Sequence, residues 1–191
     1  MIYDSRTWKK DLRKCIAQLK WLKKLKYYHA LDSFFNRVYH CFDREVLYSA
    51  IIARKLIESD KLSDAADSFQ FDVVVHRPRR NVDKLHRWIE DGDYEWDSTA
   101  KESVLGKNIC NSIIHSYVYC LFLDEKTNIG GFFVSSDFDR NKLLYQVNLN
   151  SWIDFLEYIV DDDVVSTTFR FNKGKMEYVS RRKVRGSDHK L

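Results

Sequence analysis

The apolar residues of this chain change period part-way along, and no motif constrains the fold as much. In the first third, Trp8, Leu12, Cys15, Ile16, Leu19 and Leu22 recur at steps of three and four, the spacing of one helix face. Leu31, Phe34, Phe35, Val38 and Phe42 form a second such stripe, and Val46, Leu47, Ala50, Ile51, Leu56 and Ile57 a third. Asp43 falls between these two, so it either caps a new helix or sits inside one long helix. From Phe69 the period drops to two, with Phe69, Phe71, Val73 and Val75 alternating as in a strand that ends before Pro78.

The same logic carries through to the end. NVDKLHRWIED reads as a short helix, and Thr99 with Glu102 fits a capping box that starts a helix near Ala100 and runs to about His115. YVYCLFLDEKTNIGGFFVSSD gives two strands about a turn containing Gly130 and Gly131, and DRNKLLYQVNLNS gives a third. Ser151 caps a short helix over WIDFLEYIV, and the chain closes in a hairpin turned at Asn172, Lys173 and Gly174. Helices followed by strands predict a single α+β domain over residues 1–191: an N-terminal helical bundle, then a small antiparallel β-sheet with one short helix. Residues 1–118 are expected to be mainly helical and 119–191 mainly β.

Composition narrows the class. The chain of 191 residues is 45% hydrophobic and 31% charged, the profile of a globular domain with a sizeable core. No stretch of roughly 18 apolar residues offers a membrane span. The start of the chain lacks the continuous apolar run of a secretory signal, so the cytoplasm is the expected compartment. Cys15, Cys41, Cys110 and Cys120 are far apart and form no CxxC pair, which fits reduced thiols rather than a zinc site. The reading includes no cofactor and no metal. Asp161–Asp163 lacks the spaced oxygen ligands of a calcium loop and reads as a solvated turn.

Charge is uneven. Lys9, Lys10, Arg13, Lys14, Lys20, Lys23 and Lys24 crowd the first helix, and the C-terminus is basic again. Basic ends point to a polyanion such as RNA, or to an acidic protein partner; they equally describe the wet back of a core helix.

One segment stands apart. In KNICNSIIHSYVYCLF, Asn108, Asn111 and His115 share one side of a helix. Arg54 and Glu58 form an i, i+4 pair on another helix. If the two faces meet, an imidazole, an amide, a guanidinium and a carboxylate converge, and the histidine can move a proton while the arginine neutralises an anion. If they do not, Asn111 and His115 satisfy backbone groups at a helix end and Arg54 merely pairs with Glu58.

CNSIIHSY resembles the terminal helix of HEPN-type domains, helical bundles found in prokaryotic toxins, phage-defence proteins and CRISPR nucleases. That family's motif is an arginine, commonly followed by a polar residue, with a histidine farther along the helix. In active members it supports metal-independent RNA cleavage, usually in a site shared by a homodimer. Asn111 and His115 match the polar and histidine positions, while Cys110 stands where the arginine belongs. The resemblance covers about residues 8–118. It implies an RNA- or protein-binding component of a bacterial defence or toxin–antitoxin system, catalytically degenerate unless Arg54 or Lys107 replaces the missing cation. With that replacement it implies an endoribonuclease. A second match, Arg80, Asn81 and His86 in RRNVDKLHR, has the full residue set in a more charged setting. The alternative from another class is a non-enzymatic interaction module docking on an acidic partner.

Overall fold

The computed structural model describes residues 4–26, 32–85, 89–97, 99–174 and 177–186. Helix α1 (Ser5–Lys24) begins where the Asp4 carboxylate accepts the Arg6 N–H at 2.9 Å, an N-cap. Its stripe of Leu12, Cys15, Ile16, Leu19 and Leu22 is buried as the spacing predicts. Helix α2 (Asp32–Glu58) runs through Asp43 without a break, which decides between the two readings of that residue. Its buried face is Val38, Phe42, Val46, Ala50, Ala53 and Leu56, whereas Leu47 remains 43% exposed.

A one-turn helix α3 (Asp64–Asp67), capped by Ser63, leads into β1 (Gln70–His76). The chain then forms β2 (Ala100–Leu105), α4 (Gly106–Ile114), β3 (Ser116–Leu123), β4 (Ile129–Ser136), β5 (Leu144–Asn148) and α5 (Leu149–Val160). The strands make one antiparallel sheet in the order β2-β1-β5-β4-β3. A separate two-stranded ribbon, β6 (Val164–Asn172) and β7 (Glu177–Arg185), follows. The architecture is α+β with helices first, as expected, although β1 and β2 lie within residues 1–118.

Strand parity separates two cores. Phe71, Val73, Val75, Phe132, Val134 and Val147 face the helices and join Leu12, Phe42, Trp152 and Phe155 in the main core. On the opposite face, Val118, Leu144 and Phe133 pack with Val82, Tyr94 and Trp96 from the segment between β1 and β2. His76 also faces this way, with its ring 4.7 Å from that of Trp96 and its Nε2 2.8 Å from Gln146 Oε1.

Four local expectations are overturned by local and tertiary contacts. Ala100–Leu105 is a strand, not the first turn of a helix, because six residues pair with β1 from Gln70↔Leu105 to Val75↔Ala100. Thr99–Glu102 therefore caps nothing, and the helix starts at Gly106, where a Cβ would fall on the Phe155 ring. The described residues of 81–90 form no helix. They are held as a lid on the back of the sheet by Arg79 N–H to Asp93 O (2.7 Å) and Glu90 N–H to Asp93 Oδ2 (2.9 Å). Helix α5 is capped by Asn148, whose Oδ1 accepts the Asn150 N–H at 2.8 Å, so Ser151 lies inside it. Gly130 and Gly131 lie in β4 rather than in the turn, because Gly131 pairs with Phe122 and Asn148; a Cβ would strike the Phe122 ring at Gly130 and the Val147 carbonyl at Gly131. Asp124 instead shapes that turn by accepting from the N–H groups of Lys126 and Asn128.

A candidate site between the second and fourth helices

Helix α4 has two unlike faces. Ile109, Cys110 and Ile113 are buried in the main core. Asn108, Asn111 and His115 face outward, across from Ile51, Arg54, Lys55 and Glu58 on α2. The connection between β4 and β5 closes the third side with Ser136, Asp137, Phe138 and Asp139. The result is a cleft of about 880 Å³.

The four residues singled out from sequence, Arg54, Glu58, Asn111 and His115, thus line one space. At the end of α4 it is the backbone of His115 that caps, donating its N–H to Asn111 O at 3.0 Å. The His115 carbonyl accepts the Asp137 N–H at 3.1 Å, which ties the β4–β5 connection to the helix end. The capping work is therefore done by main chain, and the exposed imidazole faces the cleft.

Arg54 pairs with Glu58 at 2.6 Å, and Lys55 reaches the same carboxylate at 3.2 Å. Hydrogen bonds from Lys55 and then Arg54 hold the Glu58 carboxyl below its usual value. Burial pushes the Cys110 thiol well up, and the positive charge of Arg54 works against that rise. The guanidinium consequently lies near Cys110. Position 110 itself is fully buried, so an arginine there would point into the core. The two carboxylates on the far wall carry their own counter-ions: Asp137 with Arg140 at 2.6 Å and Asp139 with Lys142 at 3.6 Å. Ser136 and Asp139 bond reciprocally, Oγ to Oδ2 at 2.9 Å and N–H to Oγ at 3.2 Å, which fixes the wall. Phe138 at its tip is 80% exposed. Chemically, the cleft offers one imidazole for proton transfer, amides as donors and a cationic pair on α2 for an anion. Among the described residues no three His, Cys, Asp or Glu side chains are grouped to hold a metal ion.

The second sequence match is built differently. Arg80 is engaged by Asp93 at 2.7 Å and Glu90 at 3.3 Å, holding the lid of residues together. Asn81 is exposed near it, and His86 lies outside the described residues.

The basic face of α1 meets an acidic neighbour inside the fold. Lys9 is buried, donating to the Asp162 carbonyl and to Asp163 Oδ1 at 3.0 Å. Arg13 meets Asp161 at 3.9 Å, Lys20 meets Glu157 at 2.6 Å, and Lys23 bonds Asn150. Lys14 pairs along the helix with Asp11 at 2.8 Å. Lys10 and Lys24 are exposed. The acidic run is solvated only in part, since Asp161 and Asp163 are exposed while the residue between them is not. Asp162 is fully buried and accepts from Ser63 N–H and Ser63 Oγ, each at 2.6 Å, with Arg185 Nε at 3.4 Å.

Sequence reasoning missed a second polar cluster, where α2 crosses β3. Asp43 Oδ1 and the Tyr119 hydroxyl are buried with no hydrogen-bond partner. Burial pushes the Asp43 carboxyl up to about 7 and the Tyr119 hydroxyl well above its usual value, to which the Asp43 charge adds. Tyr39 and Cys120 bond each other beside them, both shifted upward mainly by burial. The available signal was a carboxylate wedged directly after Phe42 in an apolar stripe, which also fits a cap. All four cysteines are free, Cys15 and Cys110 buried and the other two half-buried.

No helix among the described residues is long and apolar enough to cross a membrane. Comparison of the chain with protein-family models, with curated proteins and with solved structures gives no match.

Proposed function

We propose that the α2–α4 cleft is an RNA phosphodiester site in a HEPN-like protein, and that Arg54 supplies from α2 the cation that position 110 lacks. The observation that carries this reading is that Arg54, Asn111 and His115 line one cleft although they come from two helices. It favours an active, metal-independent endoribonuclease over a degenerate relative. In this reaction the ribose 2′-oxygen attacks phosphorus as His115 takes its proton, and the P–O5′ bond breaks. A cyclic phosphate remains on one product, and the 5′-oxygen of the other takes a proton from solvent. Arg54 and Asn111 hold the non-bridging oxygens, and Glu58 keeps the guanidinium in place between turnovers. The setting that goes with this reading is cytoplasmic, in bacterial defence or a toxin–antitoxin pair, with a homodimer as the working form.

The test is incubation of the purified protein with total RNA in the presence of a metal chelator, beside His115→Ala, Arg54→Ala and His86→Ala. Loss of cleavage in the first two alone supports the cleft. Loss in the third alone moves the chemistry to the Arg80–His86 segment. If the wild type does not cleave but shifts RNA in a salt-dependent manner, the degenerate RNA-binding form is the correct one.

A further inference from the structure

The β6–β7 ribbon is the least covered part of the fold. Every residue from Val165 to Phe171 is exposed, so both faces of β6 meet solvent. A two-stranded ribbon of this kind has little stability of its own and needs an anchor. Here the anchor is at its root. Lys183 Nζ reaches Asp67 at 2.8 Å and Asp60 at 3.2 Å, and its backbone N–H donates to Asp64 Oδ2 at 3.1 Å. Arg185 lies over the Tyr158 ring at 4.1 Å and beside Asp162, and Gly186 N–H donates to Asp163 O at 2.9 Å. These contacts fix the base and leave the outer half uncovered.

That outer half has a defined surface. Phe169 and Phe171 are two apart on β6, and Tyr178 is the register partner of Phe171, so the three rings share one face. They are 63%, 40% and 73% exposed, and the Phe171 and Tyr178 rings stand edge to face at 5.1 Å. Arg170, between the two phenylalanines, is exposed on the other face of the strand, and Lys173 is exposed in the turn. Between Val164 and Gly186 the sequence carries seven lysines and arginines against one glutamate, and only Lys183 and Arg185 of the described ones are paired with aspartates at the root. Exposed aromatic faces interleaved with unlike-to-polyanion charge are what successive bases and phosphates of a single strand require, because every base has a face to stack and every phosphate a charge to neutralise. An acidic protein partner could use the charge and the apolar rings, but protein–protein interface cores are depleted in lysine, which this ribbon carries next to its rings in sequence.

The root of the ribbon reaches a groove that shares residues with the cleft. A shallow groove of about 640 Å³ is lined by Ile51, Lys55 and Glu58, which the cleft shares, and by Asp60, which holds Lys183. We infer that the β6–β7 ribbon binds single-stranded RNA, stacking bases on Phe169, Phe171 and Tyr178, so that the strand runs from the ribbon along this groove into the α2–α4 cleft. Binding at the ribbon stands on its own surface; delivery of the strand to the cleft rests on the function proposed above.

The experiment measures affinity and cleavage separately. A fluorescent 20-nucleotide oligouridine is titrated with the wild type, with Phe169→Ala/Tyr178→Ala, with Arg170→Glu and with His115→Ala, alongside a blunt RNA duplex. Both ring positions are solvent-exposed, so the fold tolerates the change, and circular dichroism checks this. The expected result is a loss of about tenfold in affinity for each aromatic removed, a shallower salt dependence for Arg170→Glu, and loss of cleavage in His115→Ala. Wild-type affinity in the ring variant, or equal affinity of the wild type for duplex, overturns the inference while leaving cleft cleavage to its own assay. Light scattering supplies the third outcome: if the ring variant turns a dimer into a monomer without losing RNA affinity, the ribbon is a contact between copies and the inference is wrong. Ribbon-dependent binding without cleavage refutes the cleft reading alone.

Discussion

Replacing Asp43 by asparagine should make the protein more stable above pH 7 and leave it nearly unchanged below pH 4. The carboxyl sits mid-way along α2 with Oδ1 buried and unpartnered, and burial raises it from 3.8 to about 7. Because the folded value is the higher, the folded state holds the proton more tightly between these two pH values. The unfolded state then binds fewer protons, and stability falls as pH rises across that window. At about 1.4 kcal/mol per pH unit, the full rise caps the loss at about 4 kcal/mol. The side chain is only partly buried, so solvent screening brings the expected loss to about 1–2 kcal/mol. Asparagine keeps shape and polarity but has no charge to desolvate. The difference in Tm between variant and wild type should therefore grow from near zero at pH 4 to about 2–8 °C at pH 8, then level off. Thermal unfolding by circular dichroism across that range measures it. A difference that is flat with pH would falsify the claim that desolvation of this carboxyl governs the effect. A difference that shrinks as pH rises would mean that the charged form finds a partner near Tyr119 and Tyr39.

Other residues give sharper single measurements. His115→Ala should change stability by less than about 0.5 kcal/mol, because its backbone does the capping, yet lower RNA cleavage about 100-fold or more as a proton-transfer group is lost. Asp162→Ala should destabilise by about 3 kcal/mol in urea unfolding, because Arg185 and the buried Ser63 N–H and hydroxyl lose their common carboxylate acceptor, while Lys9 keeps the backbone carbonyl; an effect near zero would show that water replaces it. Gly106→Ala should cost about 1–3 kcal/mol, since the new methyl meets the Phe155 ring at the start of α4, and pairing it with Phe155→Leu should recover part of the loss.

Much of the fold was legible because side-chain period is a property of a short window of chain. The stripe from Leu12 to Leu22 and the alternation from Phe71 to Val75 needed no knowledge of their neighbours. Thr99 and Glu102 misled because a capping box competes with strand pairing, and six residues paired with β1 outweigh one cap. The lysines of α1 misled in another way. Their spacing marks an exposed face, but the sequence does not say that α5 and Asp161–Asp163 lie against it.

The candidate site divides along the same line. That Asn111 and His115 share a helix side, and Arg54 and Glu58 another, follows from helical spacing alone. That the two sides line one cleft, with Asp137 and Phe138 on its far wall, is set by packing between elements remote in sequence. The same holds for Cys110: its place next to Asn111 is sequence, but its burial, and the arrival of Arg54 beside it, belong to the fold. Local hydrogen bonding and side-chain period are fixed within a few residues, so the chain determines them by itself. Desolvation and the meeting of distant charges depend on which surfaces exclude water together, and only the tertiary structure decides that.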